Sequence, residues 1–161
     1  MNLYPSYAAI HNACIEVFAP HIKECDCNIE YVVGLTRGGL IPAAILSHLM
    51  GDIPMIPVSY SSKNGKGDDK AHNNVLPEIG KYKGFGMSRS DILIVDDICD
   101  SGKTLHEVYS HYVMLGHQVF TAVLYYKEIP NGPIVPNVYW EKIPEDAGWV
   151  HFPWEIDRTI V

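Results

Sequence analysis

Three carboxylates and a group of hydroxyl and glycine residues follow directly on an apolar stretch near the middle of the chain. Residues 92–95 read Ile-Leu-Ile-Val, and Asp96 and Asp97 come straight after them. The segment continues with Asp100, followed by Ser101, Gly102, Lys103 and Thr104. Successive backbone N–H groups and hydroxyls at the start of a helix can hold a phosphate. Neighbouring carboxylates can accept hydrogen bonds from sugar hydroxyls or face a hydrated divalent cation.

A Walker-type phosphate loop is one alternative for this segment, because residues 102–104 look like its tail. That motif requires a glycine five positions before Gly102, where this chain has Asp97. The other alternative is an ordinary helix N-cap formed by Asp100 or Ser101. A cap needs one such residue, whereas this segment offers three carboxylates together with Ser and Thr. The segment therefore favours a ligand-binding loop.

The order apolar run, Asp-Asp, two residues, Asp-Ser-Gly-x-Thr resembles the 5-phosphoribosyl-1-pyrophosphate (PRPP) signature of the type I phosphoribosyltransferases. The match covers residues 92–104 without a gap. An acidic residue at Asp100 is typical of the 6-oxopurine branch of that family, whereas the adenine and orotate branches usually carry Ala or Thr. The resemblance implies that the hydroxyls and amides of the loop hold the 5′-phosphate, with Asp96 and Asp97 beside the ribose hydroxyls. It also implies that Asp97 approaches Mg²⁺ and that Asp100 shares the proton on purine N7 while N9 attacks.

A second glycine-rich turn, residues 34–39 (Gly-Leu-Thr-Arg-Gly-Gly), resembles the pyrophosphate loop of the same family. Arg37 supplies a forked donor for phosphate oxygens, and glycines let the backbone approach an anion closely. The resemblance assigns Thr36, Arg37 and Gly38 to PRPP binding. Family members often have a cis peptide bond here, which would be Thr36–Arg37. Taken alone, the turn is equally consistent with a simple strand–helix connection.

Residues 61–74 are too polar to pack, and they predict a mobile loop. The family uses a loop at this place to close over the active site and exclude water, which would otherwise hydrolyse the activated sugar. The resemblance implies that Ser59 and Tyr60 begin this loop. Lys70 is a candidate for contact with pyrophosphate, although solvation of the loop explains its lysines equally well.

The resemblance also assigns base recognition to the C-terminal third of the chain. Lys127 directly follows a predicted strand, and 6-oxopurine enzymes have a lysine there that donates to the exocyclic O6. Residues 148–155 resemble the closing segment of the bacterial xanthine-guanine enzymes and related archaeal ones. This implies that Trp149 stacks on the purine, worth about 1–3 kcal/mol, and that Val150 contacts its edge through the backbone. Trp154 is expected to pin this segment to the core instead.

Strands alternating with helices must position these loops. Apolar patterns predict helices over 6–19, 40–50 and 102–115, and strands over 29–33, 54–60, 92–96 and 118–126. Pro20 is expected to help end the first helix, and two prolines place strand 54–60 near a sheet edge. The order predicts an α/β protein with a mostly parallel sheet covered by helices on both faces. The resemblance implies five strands and a small C-terminal hood.

Length and composition predict one domain over residues 1–161, in which 128–161 form the hood lobe. No apolar run approaches the ~20 residues of a membrane span. The N-terminus has no basic segment leading into an apolar one, so no secretory signal is expected. The cysteines, Cys14, Cys25, Cys27 and Cys99, are expected to be reduced thiols. These features predict a cytoplasmic protein without membrane contact.

The net charge of −7, without clustered basic residues, argues against nucleic acid as a partner. The resemblance implies purine salvage, with PRPP and hypoxanthine, guanine or xanthine as substrates, Mg²⁺ as cofactor, and a homodimer or homotetramer. Two alternatives stay open. One is a transferase for a non-purine acceptor, which Asp100, Lys127 and Trp149 together disfavour. The other is a non-catalytic regulator that binds PRPP or nucleotides. A regulator that also binds RNA would need a basic face.

Overall fold

The computed structural model describes residues 2–60, 74, 76–80, 82–83, 86–87 and 89–155. Its helical elements are α1 (Tyr7–Ala13), a π-helical turn (Cys14–Phe18), α2 (Ala19–Glu24), α3 (Leu40–Leu49) and α4 (Lys103–Met114). Its strands are β1 (Ile29–Leu35), β2 (Met55–Val58), β3 (Tyr82–Lys83), β4 (Gly86–Met87), β5 (Asp91–Cys99), β6 (Gln118–Glu128) and β7 (Val138–Pro144). Most of the predicted mobile loop, including Lys70, lies outside the described residues.

Five strands form one sheet in the order β2-β1-β5-β6-β7, and every neighbouring pair is parallel. This confirms the predicted α/β class with a parallel five-stranded sheet. Strand β2 lies at an edge, as its prolines indicate, and β3 and β4 form a separate antiparallel pair. Because the strands of the main sheet run in one direction, the loops after β1, β5 and β6 all leave at the same edge.

The central strand β5 is apolar on both faces because helices cover both sides of the sheet. Leu93 and Val95 pack into a core with α1, α2 and α3. Ile92 and Ile94 pack into a second core with α4. All four side chains are fully buried, and each contributes about 1.5–3 kcal/mol through the apolar surface it removes from water. The two cores therefore hold the end of β5, which carries the acidic pair, in a fixed position.

The first helical region does not end at Pro20. The Ala19 N–H donates to the Cys14 carbonyl and closes the π-helical turn. Pro20 then lies in the first turn of α2, which runs on to Glu24. Proline is tolerated in a first turn because the amides there have no acceptor within the helix. The predicted end at residue 19 was therefore wrong.

Residues 128–161 contain a strand that the sequence patterns did not predict. Strand β7 is the fifth strand of the main sheet and pairs with β6 from Ala122–Val138 to Glu128–Pro144. Only Val138 and Ile143 are buried along it, so its apolar pattern is weak. The single domain with a C-terminal hood stays a prediction, to which the structure adds that 138–144 extend the sheet.

Cys25 and Cys27 are joined by a disulfide bond, contrary to the expectation of reduced thiols. The chain leaves α2 at Glu24 and turns, which brings the two Cα atoms to 5.3 Å. Cys14 and Cys99 are free, as expected, and both are buried. Within the described ranges, no helix has the length and apolar character that crossing a bilayer requires.

Candidate active site

An open cleft of ≈ 890 Å³ lies at the carboxyl edge of the sheet. It is bounded by the turn after β1, by the end of β5 with the loop into α4, and by residues 149–155. Most of the predicted site residues line this cleft: Thr36, Arg37, Gly38, Tyr60, Asp96, Asp97, Asp100, Ser101, Gly102, Thr104 and Trp149. The fold therefore brings together motifs that are far apart in the sequence.

The start of α4 is built to face an anion. Strand β5 runs to Cys99, beyond its predicted end at residue 96, and the chain then turns through Gly102, whose φ of 73° favours glycine. The N-cap residue Gly102 makes no side-chain hydrogen bond to the first turn of α4. The Lys103 N–H makes a long contact of 3.5 Å to the Ser101 hydroxyl. The positive end of the helix dipole therefore faces the loop that lines the cleft.

The acidic pair at the end of β5 is held by backbone donors. The Asp97 N–H donates to Asp96 Oδ1 over 2.9 Å, and the Ile98 N–H donates to Asp97 Oδ1 over 2.8 Å. Burial, followed by the charge of Asp97, raises the pKa of Asp96 well above its usual range. Burial also raises the pKa of Asp97, although hydrogen bonds oppose the shift and the charge of Glu155 adds to it. Sugar hydroxyls or a cation would relieve this excess of negative charge.

Asp96→Asn is expected to raise the free energy of unfolding at pH 7 by about 0.5–2 kcal/mol, the usual size of a single stabilising substitution. The pKa of Asp96 is higher in the folded than in the unfolded chain, so the folded state binds this proton more tightly. Ionising the carboxyl at neutral pH therefore opposes folding. The penalty disappears as the pH falls through the folded pKa toward the ordinary value of 3.8.

Urea unfolding at pH 7 and pH 4 measures this effect. The gain from Asp96→Asn should be larger at pH 7, whereas the exposed Asp26→Asn should change stability little at either pH. A gain that is equal at both pH values, or a loss at pH 7, would contradict the expectation.

The turn after β1 packs directly against the acidic pair. The Thr36–Arg37 peptide bond is cis, and the Thr36 N–H donates to the Val58 carbonyl over 2.8 Å. A Cβ added at Gly38 would overlap the Asp97 carboxylate. A Cβ at Gly39 would likewise collide with backbone carbonyls of β1 and β5. The two glycines are therefore needed for the close approach of the two motifs.

Lys127 and Asp100 form an ion pair beside the cleft, with 2.8 Å between Nζ and Oδ1. The Lys127 side chain is 15% exposed and the Asp100 side chain 43%. Lys127 does not line the main cleft. It lines a smaller adjoining cavity whose wall also contains Asp100 and Ser101. The pair thus presents a donor and an acceptor next to each other at one side of the site.

Some predicted residues are not brought to the cleft wall. Ser59 and Lys103 do not line it, and neither does Val150, whose side chain is 2% exposed within the core. Burial leaves only the backbone of Val150 for a ligand contact, and the role implied for it stays a prediction. Tyr60 lines the cleft, and a hydrogen bond to the Glu107 carboxylate on α4 raises the pKa of its hydroxyl.

Two residues of the C-terminal segment join the cleft although the sequence patterns did not place them there. Trp154 packs against the core and stacks on Phe152 at 4.8 Å, as expected, but it also lines the cleft. Glu155 lines it too, and its Oε2 accepts from the Phe152 N–H over 3.2 Å. The charge of Glu155 acts on Asp97. The influence of Glu155 on Asp97 becomes visible only when this segment is folded toward the end of β5.

The carboxylates of the cleft suit a cation that is shared with a substrate. Among the described residues, no group of three or more His, Cys, Asp or Glu side chains could hold a metal by itself. Mg²⁺ usually takes only one or two protein carboxylates and completes its shell with water and substrate phosphates. Asp97 and Glu155, which both line the cleft, provide hard oxygen ligands of this kind.

Comparison with known proteins identifies the family of this chain. Residues 6–158 match the family described as "Phosphoribosyl transferase domain", so the chain belongs to the phosphoribosyltransferase family. This confirms the resemblance seen in the sequence.

Three proteins similar to this chain are named for purine substrates. Over 125 residues it is 34% identical to the xanthine-guanine phosphoribosyltransferase of Cereibacter sphaeroides, covering 78% of this chain and 68% of that protein. Identity to the enzyme of the same name from Gluconobacter oxydans is 39%, with 77% and 67% covered. The crystal structure of a purine phosphoribosyltransferase from Pyrococcus horikoshii Ot3 matches with a TM-score of 0.72 and 29% identity, covering 97% of this chain and 95% of that one.

Proposed function

We propose that the protein is a purine-salvage enzyme that transfers the 5-phosphoribosyl group of PRPP to N9 of a 6-oxopurine and releases pyrophosphate. The observation that carries this proposal is the ion pair of Lys127 and Asp100 beside the cleft. A 6-oxopurine base has the acceptor O6 next to N7, which carries a proton in one tautomer of the free base. An ammonium donor beside a carboxylate acceptor is complementary to that edge. Adenine has an amino group at position 6, which would meet the ammonium of Lys127 unfavourably.

The phosphate end of PRPP fits the start of α4. The amides of the first turn and the hydroxyls of Ser101 and Thr104 are candidates to bind the 5′-phosphate, with Lys103 adding positive charge nearby. Asp96 and Asp97 would accept hydrogen bonds from the ribose hydroxyls. Burial disfavours the ionised form of both carboxyls. Hydrogen-bond donors such as ribose hydroxyls stabilise that form, which supports this role.

The pyrophosphate end fits the turn after β1. Arg37 lines the cleft together with Thr36 and Gly38, and it offers a forked donor for phosphate oxygens. A bound Mg²⁺ would neutralise charge on the pyrophosphate. Asp97, with Glu155 as a second carboxylate, would hold that ion, as the donor chemistry of the cleft supports.

In the proposed reaction the bond from C1′ to N9 forms while the bond from C1′ to the pyrophosphate oxygen breaks. The transition state is oxocarbenium-like, and negative charge grows on the leaving pyrophosphate, where Arg37 stabilises it. The proton on N7 passes to Asp100, which leaves the purine product neutral. Trp149, which is 53% exposed at the cleft, stacks on the base and orients it, and Lys127 donates to O6.

Incubation with PRPP, Mg²⁺ and a single base, followed by nucleotide chromatography, tests this proposal. Xanthine, guanine and hypoxanthine are the test bases, and adenine is the matched control. We expect a nucleoside monophosphate and pyrophosphate from at least one 6-oxopurine and neither product from adenine. Product from orotate or uracil alone would favour the non-purine alternative. No product from any base would leave the regulatory alternative, which RNA filter binding then examines.

A cytoplasmic location and assembly into a homodimer or homotetramer are also part of this proposal. The assembly is supported by resemblance to the family, and the location by the sequence features on which the expectation was based. Light scattering coupled to size-exclusion chromatography distinguishes the two assemblies.

A further inference from the structure

The segment Asn2–Tyr7, called here the N-terminal brace, lies along the base-side segment 149–154. None of the motifs considered above includes it. The brace leads into α1, and Ser6 caps that helix by accepting from the Ala9 N–H over 3.1 Å. Ile10, on the first turns of α1, is fully buried. The brace is therefore anchored at one end to the hydrophobic core.

Three hydrogen bonds join the brace to the backbone on either side of Val150. The Trp149 N–H donates to Asn2 Oδ1 over 3.1 Å. The Leu3 N–H donates to the Trp149 carbonyl over 3.1 Å, and the His151 N–H donates to the Leu3 carbonyl over 2.8 Å. The N–H and C=O of Val150 itself take no part in these bonds. The brace thus engages the neighbours of Val150 and not the peptide groups proposed to meet the base.

Aromatic contacts extend the same interaction at the side-chain level. The ring of Tyr4 stacks on His151 with 4.7 Å between centroids and 5° between planes. The rings of Tyr7 and Trp154 pack at a tilt, with 6.2 Å between their centroids. Tyr4 remains 71% exposed and Tyr7 55% exposed. Neither residue is needed to fill the core, so their pairing with the base-side segment calls for another explanation.

We propose that the N-terminal brace is a positioning element for the purine base. By fixing the backbone around Val150, it holds the Trp149 ring at the cleft and keeps the Val150 peptide groups directed toward the ligand. This role rests on the proposed transfer to a 6-oxopurine. Leu3 packs against the core, and the hydrogen bonds and ring contacts described above all join the brace to the base side. The brace therefore lowers the entropy cost of ordering that side and leaves the phosphate loop at α4 unaffected. Its loss therefore weakens base binding selectively.

Steady-state kinetics of the double variant Asn2→Ala/Tyr4→Ala tests the selectivity. The KM for the base is expected to rise at least fivefold, while kcat and the KM for PRPP change less than twofold. The matched variant Asn2→Asp/Tyr4→Phe keeps an acceptor and a ring, so it should restore the KM for the base to within twofold of the unmodified protein. Met114→Ala alters an 80% exposed side chain on α4 and serves as a neutral control.

Hydrogen exchange, measured without substrates, tests the brace independently of activity. The His151 amide is the informative one, because neither substitution changes its acceptor, the Leu3 carbonyl. It should exchange at least tenfold faster in the double alanine variant, while the amides of β5 are unchanged. Unaltered exchange, or faster exchange without a rise in the KM for the base, would overturn the proposal. An equal rise in both KM values would do the same.

The result for the unmodified protein separates the two proposals. If it transfers phosphoribose to no 6-oxopurine, the proposed function fails, and a positioning role in base binding fails with it whatever the exchange rates are. If it does transfer, an unchanged KM for the base in the double alanine variant overturns the brace alone.

Discussion

Gly38→Ala is expected to lower kcat/KM for PRPP by at least 100-fold, equivalent to about 2.7 kcal/mol of transition-state stabilisation. The added Cβ would occupy the place of the Asp97 carboxylate. Asp97 cannot simply move aside, because the Ile98 N–H holds its Oδ1 at 2.8 Å and β5 is buried on both faces. The turn must then shift instead, which moves Arg37 and separates the two motifs proposed to bind PRPP. Steady-state kinetics at saturating base measures the loss.

Gly51→Ala is the matched control for this substitution. Gly51 follows α3 with a φ of 89°, and nothing lies within 4 Å of an added Cβ. Alanine should therefore cost about 1–2 kcal/mol of stability through backbone strain and leave kcat/KM unchanged. Thermal unfolding shows whether the two variants are comparably folded. If Gly38→Ala keeps the catalytic efficiency of the unmodified protein, the contact between Gly38 and Asp97 has no part in the site.

The strand, loop and helix start that form the proposed phosphate loop could be predicted from sequence because they lie within one continuous segment. Residues 92–104 join an apolar strand, an acidic pair and a helix start without interruption, so no tertiary information is needed to recognise them. The sheet followed from the same reasoning, since a strand buried on both faces must be covered by helices on both sides. The lengths of β1, β5 and β6 were underestimated. In β5 this happened because Asp96 and Asp97 are polar and yet lie within the strand, where Asp96 still pairs with Val123 of β6.

The remaining features depend on tertiary contacts that no local pattern contains. Strand β7 has buried residues only near its ends, and so resembles a loop until β6 is placed beside it. Glu155 acquires a role only when its segment folds back and its charge acts on Asp97. The ion pair of Lys127 and Asp100 likewise links the ends of two neighbouring strands. Chemistry within a segment is thus readable from sequence, whereas chemistry between segments requires the fold.

Asp100→Asn is expected to lower kcat at least tenfold while PRPP binding changes little. Asparagine has nearly the same shape as aspartate and can still accept a hydrogen bond from Lys127, but it cannot take the proton from N7. Product formation would then leave a charged purine or require water as the base, either of which raises the barrier. Pre-steady-state kinetics with isotope-labelled PRPP separates the chemical step from binding.

Glu128→Gln is the control that isolates proton transfer from the loss of an ion pair. Glu128 pairs with Lys142 at 3.0 Å, it is the direct neighbour of Lys127, and it does not line the cleft. Its replacement removes a carboxylate from β6, the strand that carries Lys127, and leaves the site unchanged. The kcat should therefore stay within twofold of the unmodified protein. Turnover that is equally unchanged in Asp100→Asn would remove Asp100 from the mechanism. The N7 proton would then have to leave to water or to the departing pyrophosphate, and Lys127 alone would account for the preference for a 6-oxo group.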